Sequence, residues 1–489
     1  MLWDGFVYYH IFICMLGFTT AYALRGQFWS SVTQLYFLQE DSRTIALLVN
    51  FVFATTYAVC HQTLTAFNTL SLGLDGTLLT SWSLRGVVST SLTGPELINV
   101  YAYPFMYVFL LITTLSILFC LTYNADELAS FTLYCVFILM AGYLMFCTQS
   151  ALIFFTAYEL LLLPSFFILY KFAKSRRSVE AAYLMFIWTQ FGALFLIAAF
   201  LYMFLVVGSA HFSVITNYSF TNTEVKFMFS LLLVGFGVKL PVWPFYGWLP
   251  KAHVEASTNF SIFLSGVLVK FAFFGLLKVL LTLELEPRLV EAYPFLMVGM
   301  IESVFKLFYQ IDLKKLVAYS TVVEMHWLVI CVISGQSPLI MSGLAMMVAH
   351  ALMSTGAFLV VDAIARRYKT RLITEISGLC FLCPKLFLIT LAMVLVFLGF
   401  PGSLFFVSEF MFFSFMLEFL PLMAAALIIL LYLIGPIFLF RSWMNVMFGF
   451  SLQANAKAPA DLSSRELLVL GFLLVLMFWL GLVWPTLVL

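Results

Sequence analysis

Five ionisable side chains stand out inside long apolar runs of this 489-residue chain. A charge inside a membrane is costly, so such residues usually pair with one another or line a path for ions or protons. Carboxylates, lysines and histidines can each hold and release a proton, so proton transfer is the chemistry that this set could perform. A structural ion pair would explain any one of them, but five residues in five separate runs favour a polar pathway. The five are Glu159, Lys239, Lys270, His350 and Glu409.

Four further ionisable residues are weaker candidates for the same path. Two of them follow an apolar run broken by proline, and they either form an entrance for protons or lie at the membrane interface. The other two lie about two helical turns inside a later apolar run. They are His253, Glu255, Glu324 and His326. By contrast, Glu302 and Lys306 are four residues apart, a spacing that predicts a neutralised pair on one helix face.

The sequence offers little support for metal or nucleotide chemistry. No GxxxxGK[ST], GxGxxG or HExxH pattern occurs in it. Cys380 and Cys383 form a CxxC spacing, but no second cysteine pair or nearby histidine completes a metal set. We therefore interpret all eight cysteines as small apolar residues and expect no cofactor in this chain.

Composition defines the class of protein that must position these residues. Hydrophobic residues make up 64% of the chain and charged residues only 10%, whereas a soluble domain is about a quarter charged. The 24 basic and 23 acidic residues nearly cancel, which excludes a nucleic-acid binder that works through a basic surface. The chain is therefore predicted to be an all-α polytopic membrane protein.

Apolar runs predict about fourteen membrane spans, since a bilayer core of ~30 Å needs about 20 apolar residues per helix. The stretch 63–103, rich in glycine, serine and threonine, is interpreted as mostly a long loop. The predicted spans lie near 5–24, 45–62, 104–122, 130–148, 150–170, 180–207, 228–248, 258–281, 293–309, 313–333, 339–361, 379–418 (long, and broken in its middle), 422–442 and 466–486.

The distribution of basic residues gives an orientation. Basic loops at 171–177 and 366–371 are separated by six predicted spans, so both fall on one side of the membrane, together with Lys314 and Lys315. The acidic loop that contains Glu284 falls on the opposite side. The positive-inside rule then places both termini on the non-cytoplasmic or intermembrane side.

Two predicted spans are broken beside a charge. Pro241 and Pro244 follow Lys239, and the run GFPG at 399–402 precedes Glu409. Proline removes a backbone hydrogen bond, and broken helices in corresponding halves mark ion sites between inverted repeats. The breaks fall in the seventh and twelfth spans, an odd offset that requires an inverted repeat. Two independent proline kinks are the alternative.

Several segments are similar to motifs of a known family. The run KLPVWPFYGWLPKAHVEA at 239–256 resembles the signature KxPxxxxxxWLPKAHxEA of the antiporter-like subunits of respiratory complex I. Further matches are ExxLxP at 159–164, DxKxxxAYS at 312–320 and GxPG…FxxE at 399–409, and the resemblance covers roughly 70–450. Residues 77–103 look like an insertion. The chain departs from the family pattern at Ser257, Phe260, Glu324 (where a histidine is usual), Phe405 and Ser408.

The resemblance implies a fold and a role for each residue. It implies two inverted five-helix repeats at 130–281 and 293–442, preceded by N-terminal helices in 1–129 and followed by a loop and a last helix in 443–489. Glu159 would pair with Lys239 in the first half-channel. Lys270 and His350 would carry the proton along the midplane, and Glu409 would gate its exit.

The function implied by the resemblance is proton translocation by a membrane-arm subunit of NADH:ubiquinone oxidoreductase. NADH, FMN, iron–sulfur clusters and ubiquinone would belong to other subunits. Expected partners are neighbouring antiporter-like subunits and membrane lipids such as cardiolipin, with no nucleic acid. The expected location is the mitochondrial inner membrane, with a bacterial plasma membrane as the alternative. A subunit of a multisubunit sodium or potassium/proton antiporter and a purely structural scaffold are the competing functions.

Overall fold

The computed structural model describes residues 108–117, 125–173, 175–282, 292–449 and 460–488. The predicted spans near 5–24 and 45–62, the loop at 63–103 and the insertion at 77–103 lie outside the described residues. Within the described ranges the chain is helical, with only two isolated β-bridges and no strand.

The first half of the described chain contains ten α-helices. A 3-10 turn at Phe245–Gly247 precedes the eighth helix, and a π-helical turn at Leu264–Leu268 joins the last two. The helices are α1 Val108–Ile117, α2 Ala125–Cys147, α3 Ala151–Leu160, α4 Leu162–Lys171, α5 Arg176–Val207, α6 Phe212–Thr216, α7 Asn222–Lys239, α8 Trp248–Glu255, α9 Thr258–Phe263 and α10 Val269–Thr282.

The second half contains nine further helices. A π-helical turn at Ile429–Ile434 again joins two of them. They are α11 Ala292–Phe308, α12 Leu313–Ile333, α13 Ser337–Tyr368, α14 Leu379–Leu382, α15 Pro384–Phe397, α16 Leu404–Phe419, α17 Pro421–Ile428, α18 Gly435–Met447 and α19 Ser464–Val488.

Eight helical segments of the described ranges are long and apolar enough to cross a membrane. Each coincides with a span predicted from the sequence. They are Ser130–Cys147, Ala151–Lys171, Arg176–Val207, Thr258–Leu281, Leu313–Ile333, Ser337–Tyr368, Pro421–Met447 and Glu466–Trp484. The described part of this membrane protein is thus all-helical, while the total of fourteen spans stays a prediction.

Three of these segments form the centre of the molecule. In Thr258–Leu281 and in α13, every residue of an 18-residue apolar stretch is buried. The corresponding share is 94% in α12 but only 33% in α5. Burial of a helix on all sides requires neighbours all round, so the other helices surround these three central segments. These three central segments contain Lys270, Glu324 and His350.

Local signals in the sequence fix where the two broken helices begin and end. Thr221 and Glu224 form a capping box at the start of α7, which then runs without interruption to Lys239. Ser403 caps α16 by accepting a hydrogen bond from the backbone N–H of Phe406 at 3.2 Å. Lys239 therefore lies at a helix end and Glu409 lies just inside a helix start, where the sequence predicted breaks.

The basic loops meet at one end of the bundle, around the end of α8. Arg371 donates a hydrogen bond to the carbonyl of Val254 (3.0 Å), and the amine of Lys314 donates to the carbonyl of Ala256 (2.6 Å). Ser175, from the loop before α5, donates to the Glu255 carboxylate at 3.4 Å. The three basic segments therefore lie at the same end, as their predicted common side of the membrane requires.

Candidate functional site

The break after α7 is held by side chains that bond the freed backbone groups. The indole of Trp248 donates to the carbonyl of Val238 at 2.8 Å, and the N–H of Trp243 donates to Nε2 of His326 at 2.8 Å. Because Nε2 accepts, the imidazole carries its proton on Nδ1, which donates to the carbonyl of Val322 at 2.7 Å. Backbone groups freed by proline in a membrane must find such partners. His326, a weaker candidate in the sequence, thus holds the break through Nε2, while Nδ1 is bonded to the backbone of its own helix, α12.

Lys239 is buried against α3. Its amine donates to the carbonyl of Tyr158 at 3.1 Å and lies 3.8 Å from the centre of the Tyr158 ring, a cation–π arrangement. Only 2% of Lys239 is exposed. Burial of an ammonium group demands such partners, so the break and Tyr158 together form its binding site.

Glu159 lies beside this site but makes no direct ion pair with Lys239. Its carboxylate accepts a hydrogen bond from Gln190 of α5 at 3.1 Å, and no oxygen of Glu159 lies within 4.0 Å of the lysine amine. The two charges remain within electrostatic range of each other. Their predicted pairing is therefore an interaction at a distance in this structure, and Gln190 is a partner that the sequence did not reveal.

Lys270 and His350 are brought together at the centre of the molecule. The lysine amine lies 2.6 Å from Nδ1 of His350 and also donates to the carbonyl of Ser265, five residues earlier in the chain. That carbonyl belongs to the π-helical turn Leu264–Leu268, and such turns are rare and frequent at functional sites. Lys270 is 0% and His350 1% exposed, so the two form a wholly buried pair able to exchange a proton.

Two small adjoining cavities are lined by His350 and by Glu409, respectively. The first, of ≈ 30 Å³, is lined by His350 together with the hydroxyl-bearing residues Ser320, Ser354 and Thr390. The second, of ≈ 40 Å³, is lined by Glu324, Glu409 and Tyr432. Ser320 and Phe397 line both cavities, which are therefore neighbours. Each has room for a water molecule, and the second also offers polar partners for it in Glu324, Glu409 and Tyr432.

Glu409 is held from two sides inside the second half. The Tyr432 hydroxyl donates to its Oε2 atom at 2.6 Å. A Cβ added at Gly399 would lie 2.6 Å from the same oxygen, and Gly399 has φ +73°, which favours glycine. The glycine before the predicted break therefore makes room for the carboxyl group. Tyr432, like Gln190, carries no charge and so lacked the signal that singled out the other residues.

The other weak candidates lie at the basic end of the bundle. His253 is buried against the ring of Phe358, with centroids 4.9 Å apart, and neither ring nitrogen has a hydrogen-bond partner in the described part of the chain. Glu255 accepts a hydrogen bond from Ser178 of α5 at 3.2 Å. Glu255 therefore ties α8 to α5, whereas His253 keeps both nitrogens available for proton exchange.

Two further lysines have clear structural partners. Lys306 forms the predicted ion pair with Glu302 at 2.6 Å. Lys278, which also lies in an apolar run but was not among the predicted site residues, donates to the carbonyls of Met145, Phe146 and Thr148 at 2.7–3.0 Å. It thereby caps the end of α2 from within the bundle. Among the described residues, no group of three or more His, Cys, Asp or Glu could hold a metal ion.

Comparison with known sequences matches most of this bundle to a family. The sequence model described as NADH:quinone oxidoreductase/Mrp antiporter, TM, matches residues 148–451. NADH-ubiquinone oxidoreductase chain 4 of Paramecium tetraurelia is 36% identical over 348 residues, which are 71% of this chain and 73% of that protein. Chain 4 of Marchantia polymorpha is 30% identical (69% and 68% covered), and NADH-quinone oxidoreductase subunit M of Rickettsia typhi is 27% identical (71% of both).

Solved structures share the fold. A chain of respiratory complex I from Thermus thermophilus aligns with a TM-score of 0.68 at 20% identity, covering 78% of this chain and 84% of that chain. A chain of the Mrp complex from Dietzia sp. aligns with a TM-score of 0.67 at 18% identity, covering 77% and 80%. The resemblance of the motifs to complex I is therefore confirmed, and the chain belongs to the antiporter-like membrane subunits of the NADH:quinone oxidoreductase/Mrp antiporter family.

Proposed function

We propose that this chain is a membrane-arm subunit of NADH:ubiquinone oxidoreductase that translocates protons, driven by electron transfer elsewhere in the complex. One observation carries the proposal. Lys270 is paired with His350, which lines one small cavity, and an adjoining cavity is lined by Glu324 and Glu409. A row of buried groups that hold protons, in the central segments and in α16, is what a proton path through a membrane protein requires.

In this mechanism Glu159 controls the proton on Lys239. A carboxylate near a buried lysine stabilises the ammonium form, and charges interact strongly where water is excluded. Since Glu159 is held by Gln190 rather than by the lysine itself, a small movement of α3 or α5 changes its distance from the amine. The proton then passes to the Lys270–His350 pair and leaves through Glu409.

We further propose that segments 130–281 and 293–442 are inverted repeats, each forming one half-channel. The two segments contain the same structural features in the same order along the chain, which supports this division. A β-bridge joins the residue before α3 to the segment after α5, and another joins the residue before α12 to the segment after α13. Each segment then has a helix that ends at a break, and later a π-helical turn.

The assembly and location follow from the same proposal. NADH, FMN, iron–sulfur clusters and ubiquinone would be bound by other subunits, and this chain would contain no redox centre. The outward apolar side chains, such as Leu205 and Leu422, would contact lipids, including cardiolipin, and neighbouring antiporter-like subunits. The eukaryotic relatives named NADH-ubiquinone oxidoreductase chain 4 favour the mitochondrial inner membrane over a bacterial plasma membrane.

A second candidate is a subunit of a sodium or potassium/proton antiporter. This candidate is supported by the similarity of the fold to a chain of the Mrp complex, whose TM-score is almost the same as that of the complex I chain. The names of the relatives at 27–36% identity favour the first function. Extraction in mild detergent separates the two: migration with a flavin and iron–sulfur assembly supports the oxidoreductase, and migration in a small complex without them supports the antiporter.

The direct test replaces Lys270 by methionine in the assembled complex. Lys270→Met keeps the length of the side chain but holds no proton, so protons pumped per electron should fall in sealed vesicles. The control is Lys385→Met, since Lys385 is exposed at the start of α15. An unchanged ratio in Lys270→Met would refute the proposed function.

A further inference from the structure

Glu324 is a buried carboxyl group without a full set of partners. It lies on α12, is 5% exposed, and its Oε2 atom has no hydrogen-bond partner among the described residues. A buried carboxylate without compensation is strongly destabilising. The group must therefore carry a proton or bond to water in the space that it faces.

That space is the ≈ 40 Å³ cavity, and Glu409 faces it from the other side. The two carboxyl groups come from different helices, α12 and α16, so the cavity is their meeting point. The volume suffices for water molecules that would join them by hydrogen bonds. Oε2 of Glu409 accepts a bond from Tyr432, whereas Oε2 of Glu324 has no donor within the described ranges, so the pair is asymmetric.

The charged groups near Glu324 limit whether the carboxyl groups of Glu324 and Glu409 can both be ionised at the same time. Glu409 and Tyr432 line the same cavity as Glu324, and Lys270 also lies within electrostatic range of Glu324. His326 on the same helix has both ring nitrogens bonded to backbone groups. Two like charges on buried side chains that line one small cavity repel strongly, as in other paired carboxyl sites that hold one proton between them.

We propose that Glu324 and Glu409 share one proton across this cavity, and that Glu324 receives it from the Lys270–His350 pair. An N–H bond of that pair breaks, an O–H bond forms at Glu324, and the proton then moves through water to an oxygen of Glu409. This inference rests on the proposed function and deepens it. A histidine is usual at position 324 in the family, so the relay here uses a group that alternates between neutral and negative rather than between positive and neutral.

The competing role for Glu324 is a fixed counter-ion for Lys270. The two roles differ in which replacements are tolerated. A counter-ion must be negative, so neither glutamine nor histidine would replace it. A relay must hold a proton, so histidine should restore function that glutamine abolishes.

The experiment measures protons pumped per electron and NADH oxidation in vesicles that contain the assembled complex. We expect Glu324→Gln to lose the contribution of this chain to pumping and Glu324→His to recover at least part of it. Glu418→Gln is the matched control, because Glu418 lies exposed at the end of α16. Full pumping by Glu324→Gln, with impaired Glu409→Gln and Lys270→Met, would overturn the relay while leaving the proposed function intact. Full pumping by all three would overturn both.

A second measurement needs no variant. The O–H of a protonated carboxyl group in an apolar site adds across a C=N bond of dicyclohexylcarbodiimide, and the O-acylisourea formed rearranges to a stable N-acylurea that peptide mass mapping locates. A shared proton predicts adducts at Glu324 and Glu409 over the same range of pH, and none at Glu418. Modification of Glu409 with no modification of Glu324 at any pH would refute the sharing of a proton.

Discussion

The amine of Lys270 lies 2.6 Å from Nδ1 of His350, although 80 residues separate them in the chain. Both side chains are almost completely enclosed, and both come from the central helices. A protonated lysine can donate only where an acceptor is offered, and the imidazole nitrogen is that acceptor. This contact joins the two halves of the chain at the point where a proton would cross between them.

The first prediction concerns Lys239→Arg. Arginine retains its proton in proteins, so a path that needs a neutral intermediate stalls, and pumping by this chain should be lost. The measurement is protons pumped per electron and the rate of NADH oxidation of the assembled complex. Lys251→Arg, at an exposed position of α8, is the control. Full activity of Lys239→Arg in both assays would show that this lysine is a fixed partner of Tyr158 and lies outside the path.

The second prediction concerns Glu159→Gln. The amide keeps the shape of the side chain and can still bond to Gln190, so the complex should assemble. Loss of the negative charge removes its stabilisation of the Lys239 ammonium group, and most pumping by this chain should disappear. Glu180→Gln changes an exposed carboxylate of α5 in the same way and should pump normally. Equal pumping by both variants would contradict the assigned role.

The third prediction concerns Gly399→Ala. Its methyl group would lie 2.6 Å from Oε2 of Glu409, and the residue would be held at φ +73°. We expect a loss of about 1–3 kcal/mol of stability from backbone strain, together with reduced pumping as the carboxyl group is displaced. Thermal inactivation and the pumping ratio measure the two effects. In Gly471→Ala, where no atom lies within 4 Å of an added Cβ, both should remain at wild-type values.

The fourth prediction separates a structural lysine from the path. Lys278→Met leaves the carbonyls at the end of α2 without their buried donor, at a cost of about 1–3 kcal/mol. Thermal stability in detergent should fall, while protons pumped per electron in the surviving complex should not. Lys385→Met should alter neither property. A fall in the pumping ratio of Lys278→Met would instead place this lysine in the proton path.

The fifth prediction concerns residues 77–103, which lie outside the described part of the chain. Their content of Gly, Ser, Thr and Pro predicts that they lie outside the lipid core on the intermembrane side. A cysteine introduced at Ser89 should react with an impermeant thiol reagent from that side only. A cysteine at Arg177, at an exposed position in the first turn of α5, should react from the opposite side. Protection of the first cysteine by lipid, or its labelling from the matrix side, would contradict the prediction.

The sequence by itself determined the helices, the breaks and the charged residues. Apolar runs of about 20 residues form membrane helices because the backbone must bond internally where water is absent. Proline has no N–H, so α7 ends at Lys239 where Pro241 follows. A charge inside an apolar run is visible in the order of residues alone, which is why Glu159, Lys270 and Glu409 stand out in the sequence.

The tertiary structure alone decided which of these groups meet. The spacing of residues in the sequence determines where each side chain lies along its own helix, but not which side chain of another helix it contacts. Glu159 therefore bonds Gln190 rather than Lys239, and the imidazole of His326 bonds the broken backbone rather than a proton carrier. The pairing of Lys270 with His350, and the cavity that Glu324 shares with Glu409, depend on how α10, α12, α13 and α16 pack. Such contacts arise from side-chain packing between distant parts of the chain, for which a single sequence has no local signal.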